Sequence, residues 1–309
     1  MPEKTNQARE SCLGPSDEAR GVKGRVCEWW DARPCGSRVS EEEIGSMAFF
    51  EEVERHRYAQ EPHIPEVAEF AAWKGRAVLE IGCGLGTDLL QFARAGAHVT
   101  GVDLTPHAVE LTSRRFDVYG VEGRFQVEDA EELSFLDDTF DLVYSNGVLH
   151  HTPNTQKAVD EIHRVLKPGG QAIVMLYHRH SYNYWVNICL LRRLAFALIR
   201  RGVSVQILAA LTGIHVDLLR EYENIIRGRS EWTLQDLLNI STDGPGNPLS
   251  KVFTRGEAKQ MFHRFGSVHT KVYWLVKKNV PIFGKYIPGP LDYALGRLMG
   301  WALYVLATK

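Results

Sequence analysis

Between residues 77 and 177 the chain alternates short apolar runs with amphipathic stretches of helical period. Ala77-Val78-Leu79-Glu80-Ile81, Val99-Thr100-Gly101-Val102-Asp103, Arg124-Phe125-Gln126-Val127, Phe140-Asp141-Leu142-Val143-Tyr144-Ser145 and residues 171–177 read as five strands. Residues 87–95, 106–118 and 155–166 read as helices between them. Gly96 suits a helix C-cap. Pro106 sits where a missing N–H costs nothing, and Pro168-Gly169-Gly170 ends the third helix. Strands alternating with helices predict a parallel sheet with right-handed crossovers. Upstream, residues 41–60 read as a helix, with Phe49, Phe50, Val53 and Arg57 near helical spacing. Pro62 and Pro65 interrupt, and residues 66–73 make a short second helix. Residues 1–25 scatter Gly, Pro, Ser and charges and read as a disordered tail. The Trp29-Trp30 pair behind that tail needs a surface to pack on. Downstream, residues 181–240 read as helical and largely apolar, with arginine pairs at Arg192-Arg193 and Arg200-Arg201. Residues 241–250 form a Gly/Pro/Asn/Ser loop. Thr254 and Glu257 have capping-box spacing for a helix through Phe265. Strands near 267–276 and 299–307 complete the sheet.

This pattern divides the chain into a tail (1–25), an N-terminal helical cap (26–75), an α/β core (76–177), a helical lid insertion (178–250) and a C-terminal completion of the sheet (251–309). Composition changes the picture little. The 309 residues are 44% hydrophobic and 24% charged with a net charge of −2, so no global charge points to nucleic acid or to an acidic partner. Five cysteines, none in a C-x-x-C pair, argue against a disulfide framework and for a reduced, cytoplasmic compartment. No secretory h-region and no long uncharged apolar run are present. The histidines lack metal-ligand spacing, so no metal is expected.

The candidate chemistry gathers at the carboxyl ends of the strands, where open α/β sheets bind ligands. The turn Glu80-Ile81-Gly82-Cys83-Gly84-Leu85-Gly86 follows a strand and opens a helix. Glycines let the backbone turn sharply and approach a ligand closely. A dinucleotide fingerprint needs G-x-G-x-x-G; here the spacing is G-x-G-x-G, and Thr87 takes the place of the third dinucleotide glycine. Glu80 would repel a pyrophosphate and suit a cationic ligand. A nicotinamide oxidoreductase is therefore disfavoured. Asp103, about 20 positions on, can hydrogen-bond both ribose hydroxyls or cap the helix that starts at Pro106. Asp129 can accept from an adenine amino group or be a solvated loop acid. Ser145-Asn146-Gly147-Val148-Leu149-His150-His151 follows the fourth strand.

These motifs, with Glu161-Ile162-His163-Arg164-Val165-Leu166-Lys167-Pro168-Gly169-Gly170, resemble in order and spacing the class I S-adenosylmethionine-dependent methyltransferases, and within them the type 11 small-molecule group. The resemblance covers roughly residues 76–177. It implies a Rossmann-like sheet, parallel with an antiparallel edge strand, and S-adenosyl-L-methionine as cofactor, leaving S-adenosyl-L-homocysteine as product. It places Gly82, Gly84 and Gly86 against the methionine part, Asp103 on the ribose, Asp129 on the adenine amino group, Ala130 near the ring and Ser145 under the methionine. Glu80, Cys83 and Leu104 join this cofactor set. The turn after the fourth strand lacks the N/D-P-P-Y/F pattern of nucleic-acid amino methyltransferases.

The implied reaction is in-line methyl transfer to a small acceptor, hydrophobic or of thiol or phenol type. A general base is optional. His150 is the catalytic candidate; Tyr58, His63, His151, Tyr177 and His178 are substrate candidates. Alternatives are a non-catalytic cofactor-binding protein and a methyltransferase at a membrane surface acting on a lipid or quinone precursor. For the second, residues 184–201 would be a basic amphipathic helix; a cover over the cleft with a solvated basic edge is the preferred reading.

Overall fold

The sheet is ordered by where its first strand sits. In a computed structural model, which describes residues 17–212, 216–228, 231–280 and 283–309, β1 (Ala77–Ile81) lies between β2 (His98–Asp103) and β4 (Phe140–Asn146). Outward from β2 lies β3 (Arg124–Val127). Outward from β4 lie β5 (Leu166–Tyr177), β7 (Ala302–Thr308) and β6 (Ser267–Tyr273). Strands β1 to β5 pair in parallel. β7 runs against β5: Lys309 exchanges backbone hydrogen bonds with Gly169 and Gly170 at 3.0 Å, at the start of β5 and the end of β7. The mixed, mostly parallel sheet is the expected fold, but the antiparallel strand β7 lies one place in from the edge, which β6 forms. The strand order reverses between β1 and β4, and the carboxyl ends on either side of such a reversal open a crevice.

Burial explains the apolar runs. Val78 and Leu79 of β1 and Leu142, Val143 and Tyr144 of β4 are wholly buried, as parallel strands covered on both faces must be. Six helices of this region are α1 (Asp17–Asp31), α2 (Met47–Gln60), α3 (Ile64–Ala68), α4 (Thr87–Arg94), α5 (Pro106–Tyr119) and α6 (Thr155–Val165). The Ser46 hydroxyl accepts from the Phe49 amide and caps α2. Gly120, with φ 62°, ends α5 in the left-handed region. Phe49, Phe50 and Val53 of α2 pack with Leu85 of the glycine turn and Leu111 of α5. Each fully buried phenylalanine contributes about 1.5–3 kcal/mol, so α2 is anchored on the turn.

Several elements differ from expectation: the helix expected over 41–60 starts only at Met47, and the one expected over 66–73 is a short helix, Ile64–Ala68, followed by a 3-10 turn, Phe70–Trp73. Residues 17–31 form a helix rather than the end of a tail, because Val26 and Cys27 find a buried face; residues 1–16 of the expected tail lie outside the described residues. β5 starts at Leu166 and takes in Pro168-Gly169-Gly170, whose backbone pairs with Lys309. The helix after Thr254 is short, Arg255–Met261. An unforeseen helix, Gly289–Met299, precedes β7. Cys83 and Cys189 are free thiols, whereas Cys27 is disulfide-bonded, a departure from the fully reduced set expected.

The chain forms two compact units. Of the described residues, the first comprises those in 17–176, 255–271 and 304–309, and the second those in 177–254 and 272–303. Within the second, a π-helix, Asn183–Arg192, runs into a helix, Arg193–Arg200, followed by Val205–Thr212, Val216–Arg227 and Leu234–Ser241. Phe196 packs on Tyr222 at 5.3 Å between ring centroids, and Thr233 and Asp236 form a reciprocal capping box.

Candidate functional site

Gly82, Gly84 and Gly86 all adopt positive φ, at 76°, 55° and 68°, a conformation costly for other residues. Gly82 has a second constraint. A Cβ there would stand 2.1 Å from Val148 Cγ2, so the turns after β1 and β4 are packed together. Gly84 has nothing within 4 Å of its Cβ position and faces open space. The turn is held from behind. The Thr112 hydroxyl of α5 donates to the Gly84 carbonyl at 2.9 Å. The buried Arg115 guanidinium donates to the Leu85 carbonyl, the Thr87 hydroxyl and the Phe50 carbonyl, and pairs with Glu54 at 2.9 Å. Arg115 thereby ties turn, α4 and α2 together.

Two carboxylates flank the turn. The Gly84 N–H donates to Asp103 at 3.1 Å, and the Thr105 amide and hydroxyl donate to its other oxygen at 3.0 and 2.9 Å. Burial nonetheless holds the Asp103 carboxyl above its ordinary range, those hydrogen bonds offsetting it in part. Glu80 is more deeply buried, at 4% exposure, and its Oε2 has no hydrogen-bond partner. The Leu89 backbone N–H, a donor in the open first turn of α4, tempers the carboxyl. Burial, and then the nearby Asp88 and Asp103, still push Glu80 well above the usual carboxylate range. An orphaned buried carboxylate oxygen beside an open glycine turn suits a ligand that brings positive charge.

Behind Glu80 lies an ion pair that the sequence did not suggest. Arg57 of α2 donates twice to Asp88 of α4, at 2.9 and 2.6 Å. The Tyr58 and Tyr144 hydroxyls each donate to Asp88 at 3.0 Å. Burial works to raise the Asp88 carboxyl, but Arg57 and the two tyrosines bring it below its ordinary value. Tyr58 is thus a structural partner of Asp88, and burial raises its hydroxyl well above the ordinary value.

The other expected residues fall into three groups. Just beyond β3, Asp129 pairs with Lys23 of α1, which also pairs with Glu131 at 2.9 Å. Asp129 further accepts from the Glu131 amide at 2.9 Å. Ala130 is buried, and Leu104 is half-buried with its carbonyl 3.7 Å from Cys27 Sγ. Asp31 at the end of α1 accepts from the His107 amide at 3.1 Å. Helix α1 therefore touches the chain just beyond β2 and β3.

At β4, the Ser145 hydroxyl is fully buried and donates to the Ile81 carbonyl at 3.1 Å, which joins β4 to β1. Cys83 is turned inward, close to Gly101, and burial raises its thiol. His150 and His151 occupy a short 3-10 turn, Leu149–His151, with ring centroids 4.4 Å apart. His151 meets the edge of Trp30 at 5.2 Å, so the surface for one of the paired tryptophans is the β4 turn. His63 lies 3.2 Å from the Tyr304 hydroxyl, which donates to Asn146 Oδ1 at 3.1 Å. Burial, and then Arg57, lower the His63 imidazole to about 4.

Tyr177 and His178 belong to the second unit. Tyr177 stacks on Trp301 at 4.3 Å and donates to the Asp243 carboxylate at 2.8 Å; His178 Nδ1 lies 3.1 Å from the Gly300 carbonyl. Both side chains have partners inside that unit.

Lys23, Arg57, Asp88, Arg115, Asn146 and Tyr304 were not foreseen. Each acts through a partner about 30 residues or more away, beyond the reach of local spacing. The one available signal was Asp88, an acid inside the first turn of a predicted apolar helix.

Comparison with known proteins bears on this geometry. A family model described as a methyltransferase domain matches residues 79–174. A sterol 4-C-methyltransferase of Caenorhabditis elegans is 39% identical over 114 residues, which is 36% of this chain and 34% of that protein. A phosphoethanolamine N-methyltransferase of the same organism is 32% identical over 105 residues, 33% of this chain and 24% of that protein. The match thus spans about a third or less of these curated relatives. In fold, the chain resembles a S-adenosylmethionine-dependent methyltransferase from Mesorhizobium loti, with a TM-score of 0.50, 19% identity, and coverage of 80% of this chain and 97% of that one.

Proposed function

We propose that this chain, whose residues 79–174 match a methyltransferase-domain model, is a class I S-adenosylmethionine-dependent methyltransferase that transfers the cofactor's methyl group to a small acceptor. The observation that carries the reading is the pairing of an open glycine turn with the orphaned Oε2 of buried Glu80. When bound, S-adenosylmethionine supplies an electrophilic methyl on a sulfonium together with an ammonium group. The residues present fit it. Gly84 lets the backbone approach the ligand, and Glu80 accepts from its cationic end. Asp103 holds the ribose hydroxyls with its remaining acceptor capacity, and Asp129 and Ala130 meet the adenine.

The protein's part in an in-line displacement is orientation and exclusion of water. Arg115 and Thr112 fix the turn, so the positions of Gly84 and Glu80 are set before the ligand arrives. His150, at the carboxyl end of β4, is the group proposed to take a proton from a hydroxyl or carbon acid; a thiol acceptor dispenses with it. His63 and Tyr58 support the site from behind through Tyr304 and Asp88. The relative named for a sterol supports a small hydrophobic acceptor, and the one named for phosphoethanolamine supports a small acceptor of polar type.

The test is calorimetry of the purified chain with S-adenosylmethionine, then labelled-methyl transfer to thiols, phenols, quinone precursors and prenyl compounds. Binding with transfer to one class is the expected result. Absence of binding overturns the reading. Binding without transfer to any acceptor favours a non-catalytic cofactor-binding protein.

A further inference from the structure

Helices on a protein surface normally turn charged residues to water and apolar residues inward. Two segments of the second unit do otherwise. In the helical stretch 183–200, Ile188, Phe196 and Ile199 are buried. Its outer face carries Trp185, Leu190 and Leu194, each more than half exposed. Positions 190, 194 and 197 follow helical spacing, and Ala197 is exposed as well. The helix is apolar on both faces. The segment 283–299 repeats the pattern: Tyr286, Leu291 and Leu298 are exposed, the last two at 50% and 69%, with exposed Ala294 between them in the same stripe. The two segments belong to the same unit, and the Asn279 amide, four residues before the second segment, donates to Asn183 Oδ1 at the start of the first at 2.6 Å.

The charges around these faces have one sign. Residues 181–216 contain four arginines and no aspartate or glutamate. Residues 274–299 contain Lys277, Lys278, Lys285 and Arg297 against a single acid, Asp292, which pairs with Lys277 at 3.1 Å. Arg193, Arg200, Arg201, Lys278 and Lys285 are exposed. No helix among the described residues is long and apolar enough to cross a bilayer.

We propose that these two outward faces of the second unit dock on the surface of an anionic phospholipid membrane. Apolar and aromatic side chains interleaved with Lys and Arg suit the headgroup boundary, where rings and stems enter the acyl region and cations meet lipid phosphates. The alternative occupant, a second copy of the chain, is disfavoured by charge. A two-fold interface sets the same patch against itself and would bring these cations together against a single acid, Asp292, already paired with Lys277. The proposal goes beyond methyl transfer and does not rest on it.

The experiment is vesicle flotation of the full chain, with phosphatidylcholine alone and with phosphatidylcholine mixed with phosphatidylglycerol, at about 0.05 M and about 0.5 M salt. Flotation with the anionic vesicles at low salt, weakened at high salt, is expected. The double variants Leu194→Glu/Leu298→Glu and Arg193→Glu/Lys285→Glu should each reduce it by about tenfold or more. All four positions are exposed, and circular dichroism with S-adenosylhomocysteine calorimetry on the same variants shows whether fold and cofactor site survive. Flotation equal on neutral and anionic vesicles, or unchanged in both double variants, overturns the proposal. So does absence of flotation, including the case where sedimentation shows a dimer that Leu194→Glu dissociates. A wild-type chain that floats but binds no cofactor would count against methyl transfer and leave this proposal standing.

Discussion

Glu80 carries two roles that oppose each other. Its carboxyl is buried with one oxygen unpartnered, and its affinity for a proton is well above the ordinary range, chiefly from that burial. The linkage sign follows. Its contribution to stability is full below the unfolded value near 4.3 and is lost as pH rises through the folded value, because the unfolded chain ionises first. Glu80→Gln should therefore raise the thermal midpoint of the free protein at neutral and alkaline pH. The same change should weaken S-adenosylmethionine binding by roughly 10- to 100-fold, the worth of a hydrogen bond to a charged group. Thermal unfolding and calorimetry across pH check both halves; a variant that is less stable and binds equally well would contradict them. Gly82 and Gly84 give a second contrast. Alanine at 82 meets Val148 at its Cβ as well as its methyls, so a rotamer change gives no relief, and φ strain adds to the clash. Alanine at 84 meets nothing and pays only the left-handed strain, about 1–2 kcal/mol. Gly82→Ala should cost substantially more stability by denaturant titration, while Gly84→Ala should lose cofactor binding out of proportion to its stability.

At the scale of elements, what was legible was what local pattern controls. β1 to β4 and the helices between them fall within a residue or so of their expected ends, since each apolar run stops at a glycine or acid. Helix α1 was not legible. Its composition is polar, and its buried positions, Lys23, Val26 and Cys27, acquire a partner surface only in the fold. Gly289–Met299 was hidden by the glycine and prolines at its start, and by an outer face too apolar to give a helical period. The glycines, Asp103 and Asp129 were readable because they lie at strand ends; Arg57 and Asp88 are joined across 31 residues and were not. Helix α1 yields its own prediction. Lys23 is nearly fully buried and pairs with both Asp129 and Glu131. Burial lowers its affinity for a proton, but the two carboxylates outweigh that and raise it above 10.5. The contribution is present throughout neutral pH and is lost only as pH rises through the folded value. Lys23→Met leaves the two acids without their shared cation. Amide hydrogen exchange over residues 17–31 should accelerate by at least about tenfold, while exchange in β1 stays near its wild-type rate. Unchanged protection of α1 would show that Trp30 and Asp31 suffice to seat it.

The whole molecule has a net charge of −2, and that near balance conceals a stretch of four arginines without an acid; an average over the chain could not reveal a one-signed face. Its two units are also less separable than two domains on a linker. The chain passes between them four times, and two of those passages, at 271/272 and 303/304, fall inside β6 and β7. Each of these strands has five of its seven residues in the first unit and two in the second, so unfolding of one unit should disturb strands that the other shares and carry it along. One cooperative transition is expected. S-adenosylhomocysteine at about 100 times its dissociation constant adds about 2.7 kcal/mol to the form that binds it. For a chain of this size that moves the midpoint by roughly 4 °C, and the entire transition should move together. Differential scanning calorimetry with and without the ligand decides the matter. Two peaks, of which only one moves, would mean that the shared strands do not couple the units. A single peak that does not move would leave the coupling intact and remove the support for the cofactor site at Glu80 and Gly84.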